Sequence, residues 1–260
     1  MKIDLAGTFI GIGVGPGDPE LITIKAAKTL KTVEVICVPK SHARKPSMAL
    51  GMIKQILDER QKPAEILELF FPMTKDELNN RKLWVENAAI VAAKAKKGNV
   101  AFITLGDPML YSTFLYLYEC VKETYPEIEL EIIPGVTSVT AAAASSKLPL
   151  AEKEEVVTIM PSDLNATLME KTAKYADNIV FMKCAHRIKE FIPILLRSGF
   201  TANSTVALVK RCTLPEEKVL VGKLGEVNRW DITEDYFSVA IVKKSQVTIH
   251  WKQNGNGSKA

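Results

Sequence analysis

The sequence predicts an α/β protein of two domains, the first with a mainly parallel sheet and the second with a mixed sheet. The chain has 260 residues, long enough for two α/β domains with substantial cores. Strand and helix patterns alternate through the first half, as in a parallel sheet with helices on both faces. After about residue 152, six strand-like runs occur with two clear helices, so some of those strand pairs should be antiparallel.

Five strands are predicted in the first half. They are TFIGIGV at 8–14, VEVICVP at 33–39, EILELF at 65–70, NVAFITL at 99–105 and IELEIIP at 128–134. The first is a continuous apolar run that ends in glycines, which is typical of a strand buried on both faces.

Capping residues suggest where the helices of the first half begin. Asp18 is a good N-cap, and Pro19 suits the first position of a helix. A second helix is predicted from Ser47, and Thr74 and Glu77 have the spacing of a capping box that opens a long third helix. The apolar stripe expected after Asp18 is Leu21, Ile24, Ala27 and Leu30.

The second half contains shorter connections. Its strand-like runs are EVVTIMP at 155–161, NIVFMK at 178–183, STVALVK at 204–210, EKVLVGKL at 217–224, YFSVAIV at 236–242 and QVTIHW at 246–251. Helices are predicted near 165–175 and 185–198, after a small-residue helix in GVTSVTAAAASSKL. We expect an N-terminal domain over 1–124, a C-terminal domain over 125–250 and a disordered tail over 251–260.

Composition excludes several classes of protein. The net charge of +4 is too mild to predict a nucleic-acid partner, and no apolar run approaches the ~20 residues that span a membrane. The four cysteines and three histidines lack metal-ligand spacing, so we expect no metal held by protein side chains. With no secretory signal, the cysteines are expected to be reduced, mostly buried thiols of a cytoplasmic protein.

The glycine-rich segment GVGPGDP does not fit a dinucleotide-binding loop. The sixth place of that fingerprint falls on Pro16 when counted from Gly11, and on Asp18 when counted from Gly13. The next predicted strand ends in Val-Pro-Lys and offers no carboxylate for a ribose. Neither a P-loop nor a G-x-S-x-G elbow is present.

Several unusual segments follow predicted strands, where open α/β sheets place their ligands. They are GVGPGDP, PKSHARK, GDPMLYST, MKCAHR and VKRCT. We expect them to converge on an active-site cleft between the two domains.

Three of the motifs, GVGPGDPELIT, GDPMLYST and PGVTSVTAA, together resemble the tetrapyrrole methylase family. That family transfers methyl groups from S-adenosylmethionine to corrin and sirohaem precursors. The resemblance covers Thr8 to about Val242. The stretch FIGIGVGPGDPELITIKAAKTLKTVEVICVPKS is most similar to the branch that methylates C-20 of precorrin-2 or cobalt-factor II in cobalamin biosynthesis. The resemblance implies that activity, two α/β domains with the site between them, and a homodimer.

The same resemblance implies which residues hold the cofactor. They are Pro16, Leu105, Gly106, Asp107, Leu110, Thr137, Ser138, Met182 and Cys212. Cys212 stands where relatives often carry Gly or Ala. Simpler structural roles exist for some of them: Asp107 before a proline is also a capping signature, Met182 also suits a core, and Pro16 also suits a turn.

Methyl transfer to an electron-rich carbon is an in-line displacement, so positioning supplies most of the catalysis. A group must then accept the proton lost from C-20, and the candidate catalytic residues are Asp107, Lys183 and Tyr236. The alternative for Lys183 is binding a carboxylate, and the alternative for Tyr236 is packing at the start of a strand.

A tetrapyrrole with eight carboxylates requires basic partners. The candidates are Lys40, Arg44, Lys45, Arg187, Lys210 and Arg211, and their alternative is an ordinary solvated face.

Two other functions stay open at this point. One is a related methyltransferase that acts on a different corrin carbon, on diphthine or on ribosomal RNA. The other is a nucleotide-binding α/β module without catalysis. The sequence does not decide between a cobalt-containing and a metal-free substrate.

Overall fold

A computed structural model describes residues 7–41, 47–72, 74 and 76–245. The chain forms two compact units, the first ending at Ser138 and the second beginning at Val139. The predicted sixth strand of the second half, at 246–251, and the predicted disordered tail, at 251–260, lie outside the described residues.

The first unit contains a five-stranded sheet in the order β3-β2-β4-β1-β5, and every neighbouring pair is parallel. Its strands are β1 (Thr8–Gly13), β2 (Val35–Lys40), β3 (Glu65–Phe70), β4 (Val100–Thr104) and β5 (Glu129–Ile133). The predicted parallel sheet is confirmed. Because β1 and β4 lie at inner positions of the sheet, their side chains are almost all buried.

The helices of this unit are α1 (Ile24–Thr32), α2 (Met48–Met52), α3 (Lys54–Asp58), α4 (Glu77–Ala95) and α5 (Phe114–Thr124). The predicted start at Asp18 is wrong for α1. Asp18 caps only a short 3-10 turn over Pro19–Leu21, and α1 begins after Thr23, whose hydroxyl accepts a hydrogen bond from Ala26 N. Ile24 is therefore 75% exposed instead of part of the apolar stripe.

Two further helix predictions need correction. Thr74 and Glu77 do not form a capping box, because the carboxylate of Asp76 caps α4 by accepting from Asn79 N. Thr74 instead binds the side chain of Asn80. The single helix predicted from Ser47 is broken at Ile53 into α2 and α3.

The second unit contains a mixed sheet in the order β6-β7-β10-β8-β9. Its strands are β6 (Val157–Pro161), β7 (Asn178–Met182), β8 (Thr205–Lys210), β9 (Lys218–Lys223) and β10 (Ser238–Lys243), and its helices are α6 (Ser138–Ser146), α7 (Ala166–Ala173) and α8 (Ile188–Arg197). Only β6 and β7 pair in parallel among the described strands of this sheet. The predicted mixed sheet is confirmed.

The division between the units falls later than the predicted boundary at residue 124. The reason is that β5 pairs with β1, from Thr8 opposite Glu129 to Ile12 opposite Ile133. The strand thus belongs to the first sheet. The loop after it belongs to the same unit, up to Ser138.

An ion pair between the buried Lys243 and the partly exposed Glu155 lies in the second unit. Lys243 ends β10 with only 1% of the residue exposed, and its Nζ lies 2.8 Å from Glu155 Oε2 and 3.1 Å from Pro149 O. Hydrogen bonds from Lys243 and from Asn178 lower the pKa of Glu155 to about 2. The pair fastens the end of β10 to the segment that precedes β6.

Burial differs among the four cysteines. It raises the pKa of Cys37 and Cys184 to about 12 and that of Cys212 to about 11. Cys120, on α5, is partly exposed, and its pKa is raised by a lesser burial.

We therefore expect a thiol reagent at pH 8 to modify Cys120 first in the native protein and the other three only after unfolding, because the thiolate is the reactive form. Ellman's assay with and without denaturant measures this. Cys120→Ser should remove the native phase, and rapid labelling of that variant would contradict the burial described above.

No described helix is long and apolar enough to cross a membrane. Within the described ranges, no group of three or more His, Cys, Asp or Glu side chains is arranged to hold a metal ion.

Candidate active site

Three glycines bring the main chains together at the carboxyl ends of β4, β1 and β5, which are neighbours in the sheet. A Cβ added to Gly13 would lie 2.5 Å from Gly106 O and 2.7 Å from Gly135 Cα. A Cβ added to Gly135 would lie 2.8 Å from Gly13 Cα and still closer to Gly106 O. The obstacles are main-chain atoms, so no side chain fits at Gly13 or Gly135.

The first glycine loop is locked to the loop after β4. Gly15 and Gly106 both have left-handed backbones, with φ of +81° and +65°, which favour glycine. They exchange main-chain hydrogen bonds, from Gly15 N to Gly106 O at 3.3 Å and from Gly106 N to Gly15 O at 2.7 Å. Gly13 and Gly15 of GVGPG therefore serve contact between loops. Gly11 has a different role, since a Cβ there would overlap the buried ring of Phe114.

Asp107 ties the loop after β4 to the loop after β5. Its Oδ1 accepts from Met109 N at 2.8 Å, and its Oδ2 accepts from Gly135 N at 2.9 Å. The first bond closes a turn instead of capping a helix as the Asp-Pro pair suggested, because the next helix begins only at Phe114. The second spans 28 residues and had no signal in the sequence. Because both oxygens already accept a hydrogen bond, the geometry favours a bracing role over a proton-accepting one.

The remaining cofactor candidates of the first unit lie on these two loops and on the first glycine loop. A Cβ built on Gly106 would be 3.9 Å from Thr137 Cα and 4.0 Å from Ser138 N, so the 106 and 137 segments are close. Those first-unit candidates are all partly exposed: Pro16, Leu105, Gly106, Asp107, Leu110, Thr137 and Ser138.

The residues present fit S-adenosylmethionine. The cofactor's amino-acid and ribose groups need main-chain donors and acceptors at close range, and glycines allow that approach. Gly106 provides the room for that approach, since a Cβ there would meet nothing nearer than the 3.9 Å contact with Thr137.

In the second unit, the ends of β7 and β8 are strained. Lys183 and Arg211 are non-glycine residues with left-handed φ values of +58° and +49°. Their N–H groups donate to Ser238 O at 2.7 Å and to Phe237 O at 2.8 Å, on either side of the start of β10. Non-glycine residues in this region cost free energy and cluster at functional sites.

Two of the candidate catalytic residues meet here. The Nζ of Lys183 lies 4.7 Å from the centre of the Tyr236 ring, a cation–π contact. Tyr236 packs edge-on against Phe237 and remains 44% exposed. Asp107 lies in the first unit and Lys183 and Tyr236 in the second.

The described basic candidates are already engaged by protein acceptors. Lys40 pairs with Glu68, and Arg187 binds Ser162 O and Glu190. Arg44 and Lys45 lie outside the described residues.

Lys210 and Arg211 differ in how free they are. Lys210 is only 5% exposed, and its Nζ binds the hydroxyl and carbonyl of Thr233. Arg211 donates its Nε to Asp235 and keeps 41% of its side chain exposed. A substrate role for Lys210 remains a prediction from the sequence, but its burial favours an internal one.

The two cofactor candidates of the second unit also differ. Met182 ends β7 and is partly exposed. The Sγ of Cys212 is buried 3.6 Å from Ser145 Oγ, which donates to Glu217, and Glu217 also accepts from Thr213 N. The Cys212 side chain thus points into the protein. A ligand would therefore contact the main chain of Cys212 and not its thiol.

The model of the family Tetrapyrrole (Corrin/Porphyrin) Methylases matches residues 8–228. A probable cobalt-precorrin-2 C(20)-methyltransferase of Methanocaldococcus jannaschii is 41% identical over 90% of this chain and 95% of its own length. The cobalt-precorrin-2 C(20)-methyltransferase of Salmonella typhimurium is 33% identical over 92% and 97%.

Solved structures show the same fold. A cobalt precorrin-4 methyltransferase, CbiF, has a TM-score of 0.69 at 21% identity, covering 91% of this chain and 94% of its own. A uroporphyrin-III C-methyl transferase of Thermus thermophilus, complexed with S-adenosyl homocysteine, has a TM-score of 0.66 at 22% identity, covering 91% and 97%. The resemblance of the three glycine motifs is therefore confirmed, and the chain belongs to the tetrapyrrole (corrin/porphyrin) methylase family.

Proposed function

We propose that this protein transfers a methyl group from S-adenosylmethionine to C-20 of precorrin-2 or of its cobalt-containing form. The observation that carries the proposal is the similarity to two C(20)-methyltransferases, at 41% and 33% identity, over at least nine-tenths of both chains. The reaction belongs to cobalamin biosynthesis. Cobalt, where present, is part of the substrate.

In this proposal the first-unit loops hold the amino-acid end and ribose of the cofactor. The missing side chain at Gly106 leaves room for the cofactor beside the 137–138 segment, and Asp107 keeps the two loops together. Pro16, Leu105 and Leu110 border them, while Met182 and the main chain at Cys212 serve the adenine. The cofactor supplies a methyl group bonded to a sulfonium, and the neutral thioether of S-adenosylhomocysteine is the leaving group.

The chain's contribution to the chemistry is to hold and orient. Positioning a carbon nucleophile and the methyl in line lowers the barrier without a strong base. The proton released afterwards needs an acceptor. The candidates are Tyr236, which would accept it as the phenolate, Lys183, which would accept it as the free amine, and Asp107, whose two oxygens already accept hydrogen bonds. From the family resemblance we also propose a cytoplasmic homodimer, with no metal held by protein side chains.

Lys183→Met is expected to lower kcat by about a hundredfold or more at saturating tetrapyrrole, the range of acid–base groups, because it removes the positive charge beside Tyr236. Cofactor affinity should not change. Steady-state kinetics measures this, with Lys171→Met, an exposed lysine of α7, as the control. If the variant raised KM and kept kcat, Lys183 would bind a substrate carboxylate instead. If the variant had wild-type kinetics, Lys183 would not belong to the active site.

Calorimetry and turnover together test the function. S-adenosylhomocysteine should bind, and NAD and ATP should not, whereas a nucleotide-binding module predicts the reverse. Anaerobic incubation with isotope-labelled S-adenosylmethionine and either precorrin-2 or its cobalt form should add one methyl by mass. No added methyl with either form would refute the proposal.

A further inference from the structure

Asp235 opens the turn that leads into β10, and its carboxylate makes two separate contacts. Oδ1 accepts from Phe237 N at 2.9 Å, which closes a local Asx turn. Oδ2 accepts from Arg211 Nε at 2.8 Å. The main-chain oxygen of Asp235 accepts from Ser238 Oγ at 2.8 Å. Only 15% of the Asp235 side chain is exposed, so it is more shielded from solvent than its partner Arg211.

Arg211 retains binding capacity after this contact. Asp235 takes only Nε, and no described residue accepts a hydrogen bond from the two terminal nitrogens. The side chain is 41% exposed. Terminal guanidinium nitrogens bind a carboxylate as a planar fork, and they do so best when the side chain is already oriented.

The backbone supports the same orientation. Arg211 is held in a left-handed conformation at the end of β8, and its N–H binds Phe237 O within the Asp235 turn. Main chain and side chain of Arg211 are thus both fixed to one turn. The main chain of Lys183 is fixed to the other side of β10, where its N–H donates to Ser238 O.

We propose that Asp235 is a positioning residue that fixes Arg211 so that its terminal nitrogens bind one carboxylate arm of the tetrapyrrole. Asp235 itself does not contact the substrate. The inference rests on the proposed function, because it takes its ligand to be a polycarboxylate tetrapyrrole.

Asp235→Asn separates the two contacts of the carboxylate. An asparagine oxygen still accepts from Phe237 N and keeps the Asx turn. Its amide nitrogen is a donor and cannot accept from Arg211 Nε. The variant therefore releases Arg211 while the turn remains.

The expected result for Asp235→Asn is a rise of about tenfold in KM for the tetrapyrrole, the value of one charge-assisted contact. The kcat, the melting temperature and S-adenosylhomocysteine affinity should stay near wild type. Arg211→Met should raise KM at least as much, and the double variant should be no worse than Arg211→Met alone. Glu234→Gln, which removes a negative charge next to Asp235 on an exposed residue, is the matched control.

An unchanged KM in Asp235→Asn, or losses that multiply in the double variant, would overturn the inference, since Asp235 would then not act through Arg211. Should Asp235→Asn fail to fold, Arg211→Met decides, and an unchanged KM overturns the inference.

If the wild type methylates neither form of precorrin-2, the proposed function fails. Fluorescence titration with uroporphyrin, a stable octacarboxylate tetrapyrrole, then decides the role of Asp235. A tenfold weaker affinity in Asp235→Asn supports it, and equal affinity, or no binding by the wild type, overturns it.

Discussion

Gly135→Ala is expected to destabilise the first unit by about 3 kcal/mol, at the upper end for overpacking, and to abolish S-adenosylhomocysteine binding. The added Cβ would lie 2.8 Å from Gly13 Cα, 2.9 Å from Gly13 C and closer still to Gly106 O. These are main-chain atoms of two other strand ends, so they cannot turn aside as a side chain would. Relief requires the loops at β1, β4 and β5 to separate, and Gly106 would then move away from the proposed cofactor.

Denaturant unfolding and calorimetry with S-adenosylhomocysteine measure the two effects. Gly51→Ala is the matched control, because an added Cβ on this exposed helical glycine meets nothing within 4 Å. That variant should gain about 0.5–1 kcal/mol from helix propensity and bind normally. If Gly135→Ala bound S-adenosylhomocysteine with wild-type affinity, the glycine contacts would not be needed to build the site.

Glu155→Leu should cost about 3–5 kcal/mol of unfolding free energy, since it leaves the Lys243 ammonium buried without its carboxylate. Lys243→Met should cost less, about 1–2 kcal/mol, because Glu155 is partly exposed and keeps hydrogen bonds from Asn178 and from Glu152 N. Urea unfolding measures both. The double variant should be more stable than Glu155→Leu alone. If the two single variants lost equal stability, or if their losses added up in the double variant, the coupling between Glu155 and Lys243 would be contradicted.

The same pair predicts a pH dependence of stability. The pKa of Glu155 is lowered from its usual 4.5 to about 2, so its contribution is complete above pH 4.5 and is lost as pH falls through about 2. The stability difference between wild type and Glu155→Leu should shrink over that window. A difference that stays constant down to about pH 2 would rule out the pairing as its cause.

The pattern of apolar residues predicted the two sheets, because that pattern reflects burial and each strand carries it within its own short segment. The apolar run before Gly13 becomes an inner strand of the first sheet, and close-spaced runs such as 204–210 and 217–224 form an antiparallel pair. Helix starts were less predictable. Asp18 and Thr23 are both good caps, and Pro19 suits a 3-10 turn as well as a helix, so only the packed structure decides between them.

The contacts that build the site join distant parts of the chain, and no local pattern encodes them. Gly15 meets Gly106, and Asp107 meets Gly135, across loops whose approach depends on strand order. The left-handed backbones of Lys183 and Arg211 gave no signal either, since lysine and arginine rarely adopt that conformation. The role of Asp235 gave no sequence signal either, because its contact with Arg211 spans 24 residues.

The position of the transferred methyl tests the central proposal most directly. The protein should be incubated without oxygen with ¹³C-methyl S-adenosylmethionine and each form of precorrin-2, and the product examined by ¹³C NMR. We predict one labelled methyl per tetrapyrrole, on C-20, with at least one of the two forms. A labelled methyl on any other ring carbon would contradict the assignment and make the protein a methylase of a different corrin position.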